Sequence, residues 1–138
     1  MQVHLNPPLE PGDAPRHAAA IVAAAADISG ARLDYSPLSI SLVEEIVDGF
    51  RDEGVTDRDM AEALVAFGCY VGEILTRHTG GSWRRALPGH ATTVPLAVEL
   101  PGAGTCHPID WVFRRLRFGA VVSIRALYDA TGAAHGER

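Results

Sequence analysis

From Met60 to Leu75 apolar side chains recur at the three-and-four spacing of one helical face, as Met60, Leu64, Phe67, Val71, Ile74 and Leu75. Ala61, Ala63, Val65 and Ala66 leave little of the opposite face polar. A helix that is apolar nearly all round is a buried one, so this helix is expected to be the centre of the fold. Thr56 followed by Asp59 is close to a capping box, and Asp57 and Asp59 fall where the helix dipole favours negative charge, which sets the expected start at Thr56. Gly68 and Gly72 would each cost about 1 kcal/mol relative to alanine, so another backbone is expected to pass close to them.

The same periodicity predicts helices on either side. Ala18 to Ile28 carries the stripe Ile21, Val22, Ala25 and Ile28, with Gly30 as its stop, and is expected to lie across the central helix. Ser36-Pro37 is a strong helix start, with Ser as cap and Pro pre-organised for the first position. Leu38, Leu42, Val43, Ile46, Val47 and Phe50 then supply a buried face, and Gly54 ends the helix. The short turn from Gly54 to Thr56 makes this helix and the central one expected neighbours in a helical hairpin.

After the central helix the period changes to two. Trp83 to Leu87 and Thr92 to Leu100, separated by Pro88-Gly89, read as an antiparallel β-hairpin, with Pro95 delaying the second strand or confining it to an edge. A lone ribbon is marginal in water, so it should rest on the helices. Pro101 to Pro108 reads as a loop, Ile109, Val112, Phe113 and Leu116 mark a short helix, and Gly119 should break it. Ala120 to Ala130 is then a last helix using Val121, Ile124, Leu127 and Tyr128. Residues 1–15 hold four of the nine prolines and no stripe, which predicts an extended arm, although His4 and Leu5 could pack. Residues 131–138 are expected to fray. The expected architecture is α+β: one domain over 16–130, with a helical core around one central buried helix and a small antiparallel β-hairpin.

Composition narrows the chemistry. All 12 basic residues are arginine, so a Schiff-base lysine and a P-loop lysine are both excluded. A net charge of −5 argues against general nucleic-acid binding, which rests on neutralising phosphates. The charge is uneven: residues 1–76 hold 13 acids and 4 arginines, and residues 77–138 hold 4 acids and 8 arginines. Either the two halves face each other across the fold, or the surface is dipolar and orients a partner. Two cysteines make no disulfide framework. The alanine run from Ala18 to Ala26 follows prolines and acids instead of a basic leader, and no run of 18 apolar residues exists, so no membrane span and a cytoplasmic location are expected.

Leu33-Asp34-Tyr35-Ser36-Pro37, the Gly-x-Tyr-x-Gly-Glu pattern from Gly68 to Glu73, and Gly80-Gly81-Ser82-Trp83 stand ahead of a proline entry to a helix at His107-Pro108. In these motifs the chain resembles a group of small, uncharacterised bacterial domains, mainly actinobacterial, over about residues 33–130. The resemblance implies an α+β fold and no particular activity.

Several constellations are candidates for chemistry. Cys69, His78, His90, Cys106 and His107 are poorly spaced for zinc, since Cys106 and His107 are adjacent and Cys69 and His78 are out of phase on one helix. No metal or cofactor is therefore expected. Cys106 beside His107 is the better placed of the two thiols for nucleophilic catalysis, whereas Cys69 reads as a small buried hydrophobe. Ser82 and Ser123 sit in no nucleophile elbow. The Thr79-Gly80-Gly81-Ser82 turn, flanked by Arg77, Arg84 and Arg85, could present amide groups to an anion, or could simply reverse the chain. Arg114, Arg115 and Arg117 read as a solvated helix face pairing with acids between Leu38 and Glu62. Trp111 points away from that helix's stripe, as an exposed anchor for a partner or part of a second small core.

Glu73 is the one carboxylate in the apolar half of the central helix. It either pairs with Arg77 one turn on, or accepts hydrogen bonds from the Trp83 indole or loop amides as a tie between helix and hairpin, or contacts a ligand or partner. The candidate contact residues are thus Tyr70, Glu73, Arg77, Trp83, Arg84, His107 and Trp111. The favoured reading is a non-catalytic interaction or accessory protein whose partner is another protein. The alternatives are a small-ligand or anion-binding domain at Gly80-Gly81 and an enzyme using Cys106 or His107.

Overall fold

The computed structural model describes residues 9–86, 94–102 and 104–131. Its elements in chain order are α1 (Ala14–Ser29), α2 (Ile40–Asp52), α3 (Ala61–Thr79), β1 (Ser82–Arg85), β2 (Leu96–Leu100), β3 (Gly104–Cys106), α4 (Pro108–Phe118) and α5 (Ile124–Ala130). Short 3-10 turns precede α1 and α2 and follow α4. This is an α+β fold.

α3 is the centre, as its pattern predicts: every residue from Leu64 to Leu75 is buried. The Thr56 capping box forms reciprocally, Asp59 N donating to Thr56 Oγ1 at 3.2 Å and Thr56 N to Asp59 Oδ2 at 3.3 Å. It closes a turn, and the regular helix starts only at Ala61. α1 and α4 take the largest contacts with α3. A side chain on Gly68 would run into Ile109 at its Cα, so the backbone of α4 passes here as expected. At Gly72 the neighbour is instead a side chain, the indole of Trp83.

Several expectations need correction. α2 packs chiefly on α4, not on α3, so the two consecutive helices are not a tight hairpin. α1 starts at Ala14, four residues before Ala18, and the segment expected as an extended arm already packs at Leu9 and Ala14, which are 6% and 0% exposed. Pro11 opens a 3-10 turn that leads into the helix, which is how a proline-rich stretch becomes helical. His4, Leu5, Pro88, Gly89, His90 and residues 132–138 of the expected tail lie outside the described residues. Leu38, Ile28 and Val121, each assigned to an apolar stripe, are exposed. They stand at or beyond the ends of their helices, where the periodic face no longer meets the core.

The sheet has three antiparallel strands in the order β1-β2-β3, where two were expected. The third lies within the presumed loop: Thr105 pairs with Glu99 and Cys106 with Val98. Gly102 and Gly104, at φ 66° and 82°, make the tight reversal that lets so short a segment return along β2. β2 begins after Pro95, a residue that cannot donate to a ladder, and buries Leu96, Ala97, Val98 and Leu100 against the helices. After α4, Gly119 breaks the helix at φ 77°, and Ser123 caps α5 by accepting from Ala126 N at 3.0 Å.

Candidate functional site

The loop between α1 and α2 meets the C-terminal half of α3, and the meeting point is Tyr35. It is the one non-glycine among the described residues with a positive φ, 64°. That left-handed conformation costs a tyrosine about 1–3 kcal/mol and persists only when the surroundings hold it. Three α3 side chains do so. Tyr35 N donates to the Tyr70 hydroxyl at 2.8 Å, His78 Nε2 lies 3.0 Å from the Tyr35 carbonyl oxygen, and the Arg77 guanidinium carbon sits 3.6 Å from the centre of the Tyr35 ring. The two tyrosine rings also touch, 4.9 Å apart between centres. On the N-terminal side Asp34 accepts from Ser36 N and Oγ, forming the turn that leads into the Ser36 cap of the 3-10 turn ahead of α2.

Behind this surface the polar groups tie the fold together. Tyr70 is fully buried, and its hydroxyl lies 2.6 Å from Ser39 Oγ. Its pKa is raised above the ordinary 10, burial being the main cause. Glu73 is 7% exposed and its Oε2 accepts the indole N–H of Trp83 at 3.0 Å. This is the expected tie between helix and sheet, made by the indole. Arg77 lies 3.6 Å from the other carboxylate oxygen, close enough for charge but beyond ordinary hydrogen-bond length. The segments 33–37, 68–73 and 80–83 and Pro108 therefore converge: a Cβ on Gly72 would meet both Trp83 and Pro108.

The remaining candidates are elsewhere. Trp111 is 9% exposed and belongs to the main core, so it is no surface anchor, because α4 is enclosed on more of its circumference than its stripe implied. His107 is half-buried just before α4, and Arg84 pairs with Glu99 on the exposed face of the sheet at 3.1 Å. Arg115 was expected on a solvated face and is instead 8% exposed. Its Nε and Nη2 donate to the two Asp48 carboxylate oxygens at 2.8 and 2.7 Å, and its Nη1 to Val122 O at 2.9 Å and Glu44 Oε2 at 3.3 Å. Arg117 pairs with Asp57, and Arg85 with Glu10, so basic residues of the second half do face acids of the first.

Both thiols are pushed up to about 12, Cys69 by burial and then by the Glu73 charge, Cys106 by burial alone. A thiol that keeps its proton at neutral pH is the reverse of an activated nucleophile. An open groove of about 350 Å³ lies beside the glycine turn, lined among others by Gly80, Ser82, Glu99 and Thr105. The turn's amides are already used, Gly80 N by Thr76 O and Gly81 N by Thr79 Oγ1, and Glu99 brings negative charge to the groove. Among the described residues no cluster of three His, Cys, Asp or Glu is placed to hold a metal ion, and no helix is long and apolar enough to cross a membrane.

Sequence reasoning missed Tyr35 and His78 as site residues. The available signal was Asp34-Tyr35-Ser36-Pro37, where an Asx turn ahead of a capped helix forces a tight reversal on whichever residue stands between. No family model, curated protein or solved structure matches the chain.

Proposed function

We propose that the chain is a small, non-catalytic, cytoplasmic interaction or accessory protein whose contact surface is formed by Asp34, Tyr35, Arg77 and His78. The observation that carries this reading is Tyr35 itself, held at φ 64° by three side chains of the most buried helix. Strain of this kind collects at recognition sites, where a fixed conformation spares the entropy of ordering on binding. Tyrosine and arginine are the residue types that dominate interface energies, and here they are stacked at a partly exposed position on a rigid support.

The test is a photo-crosslinking residue at Arg32, exposed and close in sequence to Tyr35, with a control at Glu53, exposed at the end of α2. In cells that express the chain natively, one defined protein adduct should form from Arg32 and not from Glu53, and Arg77→Ala, checked for an intact melt, should abolish it. Adducts that ignore Arg77, or that form equally at Glu53, would contradict this reading.

A further inference from the structure

We infer that Arg77 receives a carboxylate of the partner, from an acidic side chain or a chain end; this rests on the contact surface proposed above. The guanidinium carbon lies 3.6 Å from the centre of the Tyr35 ring, a contact that restrains the group, and its side chain is 50% exposed. The acid it pairs with, Glu73, has its Oε1 3.6 Å away, and the other oxygen of that carboxylate is taken by the Trp83 indole. Among the described residues Arg77 makes no hydrogen bond of its own. A planar fork with an accessible edge, pre-oriented by an aromatic ring, is the geometry that binds carboxylates bidentately.

The neighbouring charges are compatible with this. The Glu73 carboxylate is buried and directed into the fold, and Asp34 is engaged by Ser36 at 2.6 and 3.0 Å. His78 adds a second polar ring beside the fork, positioned by its contact with the Tyr35 carbonyl. Arg84 supplies an internal contrast, since its fork already meets Glu99 at 3.1 Å.

The experiment is an NMR titration of the full chain with three probes. The first is an acetylated, amidated tripeptide with a central glutamate between leucines, the second its glutamine counterpart, and the third acetylated dileucine with a free carboxyl end. The glutamate or the free-carboxyl probe should give saturable shifts at Tyr35, Arg77 and His78, the tighter of the two naming the source, while the glutamine probe should not. Arg77→Lys keeps the charge beside Glu73 and should leave the melt unchanged while weakening the acid probe by about tenfold. Equal binding of the glutamate and glutamine probes, unchanged affinity in Arg77→Lys, or no saturable shift with either acid would overturn the inference. If the crosslink from Arg32 still depended on Arg77 in that event, the contact surface would stand and only its carboxylate chemistry would fall.

Discussion

Arg115 and Arg77 stand on two helices that pack against each other, and both face carboxylates from the acidic first half of the chain. Their environments differ in how far the guanidinium is consumed. Arg115, with a side chain 9% exposed, fills its fork with both oxygens of Asp48, a third contact to Glu44 and a fourth to the Val122 carbonyl, joining α4, α2 and the entry to α5. Glu44 completes that junction by accepting from Ile124 N at 2.7 Å. Arg77 is half exposed, stacked on a tyrosine, and only near its acid. The same residue type is thus a structural clamp on α4 and a half-exposed neighbour of its acid on α3. Enclosure on all sides decides between them, and no sequence window records it.

The largest expected effect follows from the filled fork. Arg115→Ala removes the cation from Asp48 and Glu44 and the donor from the Val122 carbonyl, and should cost about 2–3 kcal/mol in urea unfolding, most of it at the enclosed Glu44 and Val122 groups because Asp48 is 38% exposed. A cost below about 1 kcal/mol would erase the distinction between the two arginines.

Next comes the tie behind Arg77. Trp83→Phe removes the N–H from a buried carboxylate together with the far ring atoms that rest on Gly72, and should cost at least about 1–3 kcal/mol. Glu73→Gln should also lower the melt, and a double-mutant cycle should show the two changes to be coupled. Additive losses would mean that the 3.0 Å contact contributes nothing of its own.

Acid sharpens the contrast further. Asp48 is held below its ordinary 3.8, mainly by its hydrogen bonds from Arg115. A carboxylate with a depressed folded pKa contributes stability that is present above the unfolded value and is lost as pH falls through the folded one. The Arg115 clamp should therefore weaken below about pH 4. Because Asp48 is 38% exposed, the loss should stay within about 1 kcal/mol. The pH series should be flatter in Arg115→Ala, and an unchanged slope would place the titrating group elsewhere.

The smallest expected effect on stability is that of Arg77→Lys, within about 0.5 kcal/mol, since lysine keeps the charge near Glu73 from a half-exposed position in helical spacing. A loss as large as that of Arg115→Ala would make Arg77 a second clamp.

How much of this was legible in the chain follows from which interactions are local. The buried helix, its internal glycines and the Glu73–Trp83 tie were readable, because periodicity, the cost of helical glycine and the need to answer a buried carboxylate all act within about ten residues. β3 was hidden inside Pro101 to Pro108, where turn residues outnumber the three that pair and only the neighbouring strand reveals them as a strand. The burial of Arg115 depended on α2 and the entry to α5 closing over α4, and that of Trp111 on joining the main core, both tertiary events. Tyr35 was visible only as a letter in a motif, since its strain arises from contacts with Tyr70, Arg77 and His78, 35 to 43 positions away.

The most direct measurement of the difference between the two arginines is hydrogen exchange at their side-chain Nε–Hε groups, followed by NMR on the unmodified chain. Arg115 Nε donates to Asp48 at 2.8 Å from an enclosed position, so its proton should exchange slowly, with the protection of the core. The Arg77 proton should exchange at close to the rate of a solvent-exposed arginine and slow only when a carboxylate probe binds. Equal protection at both sites in the free protein would show that the Arg77 fork is already filled, and would contradict its role as the open end of the contact surface.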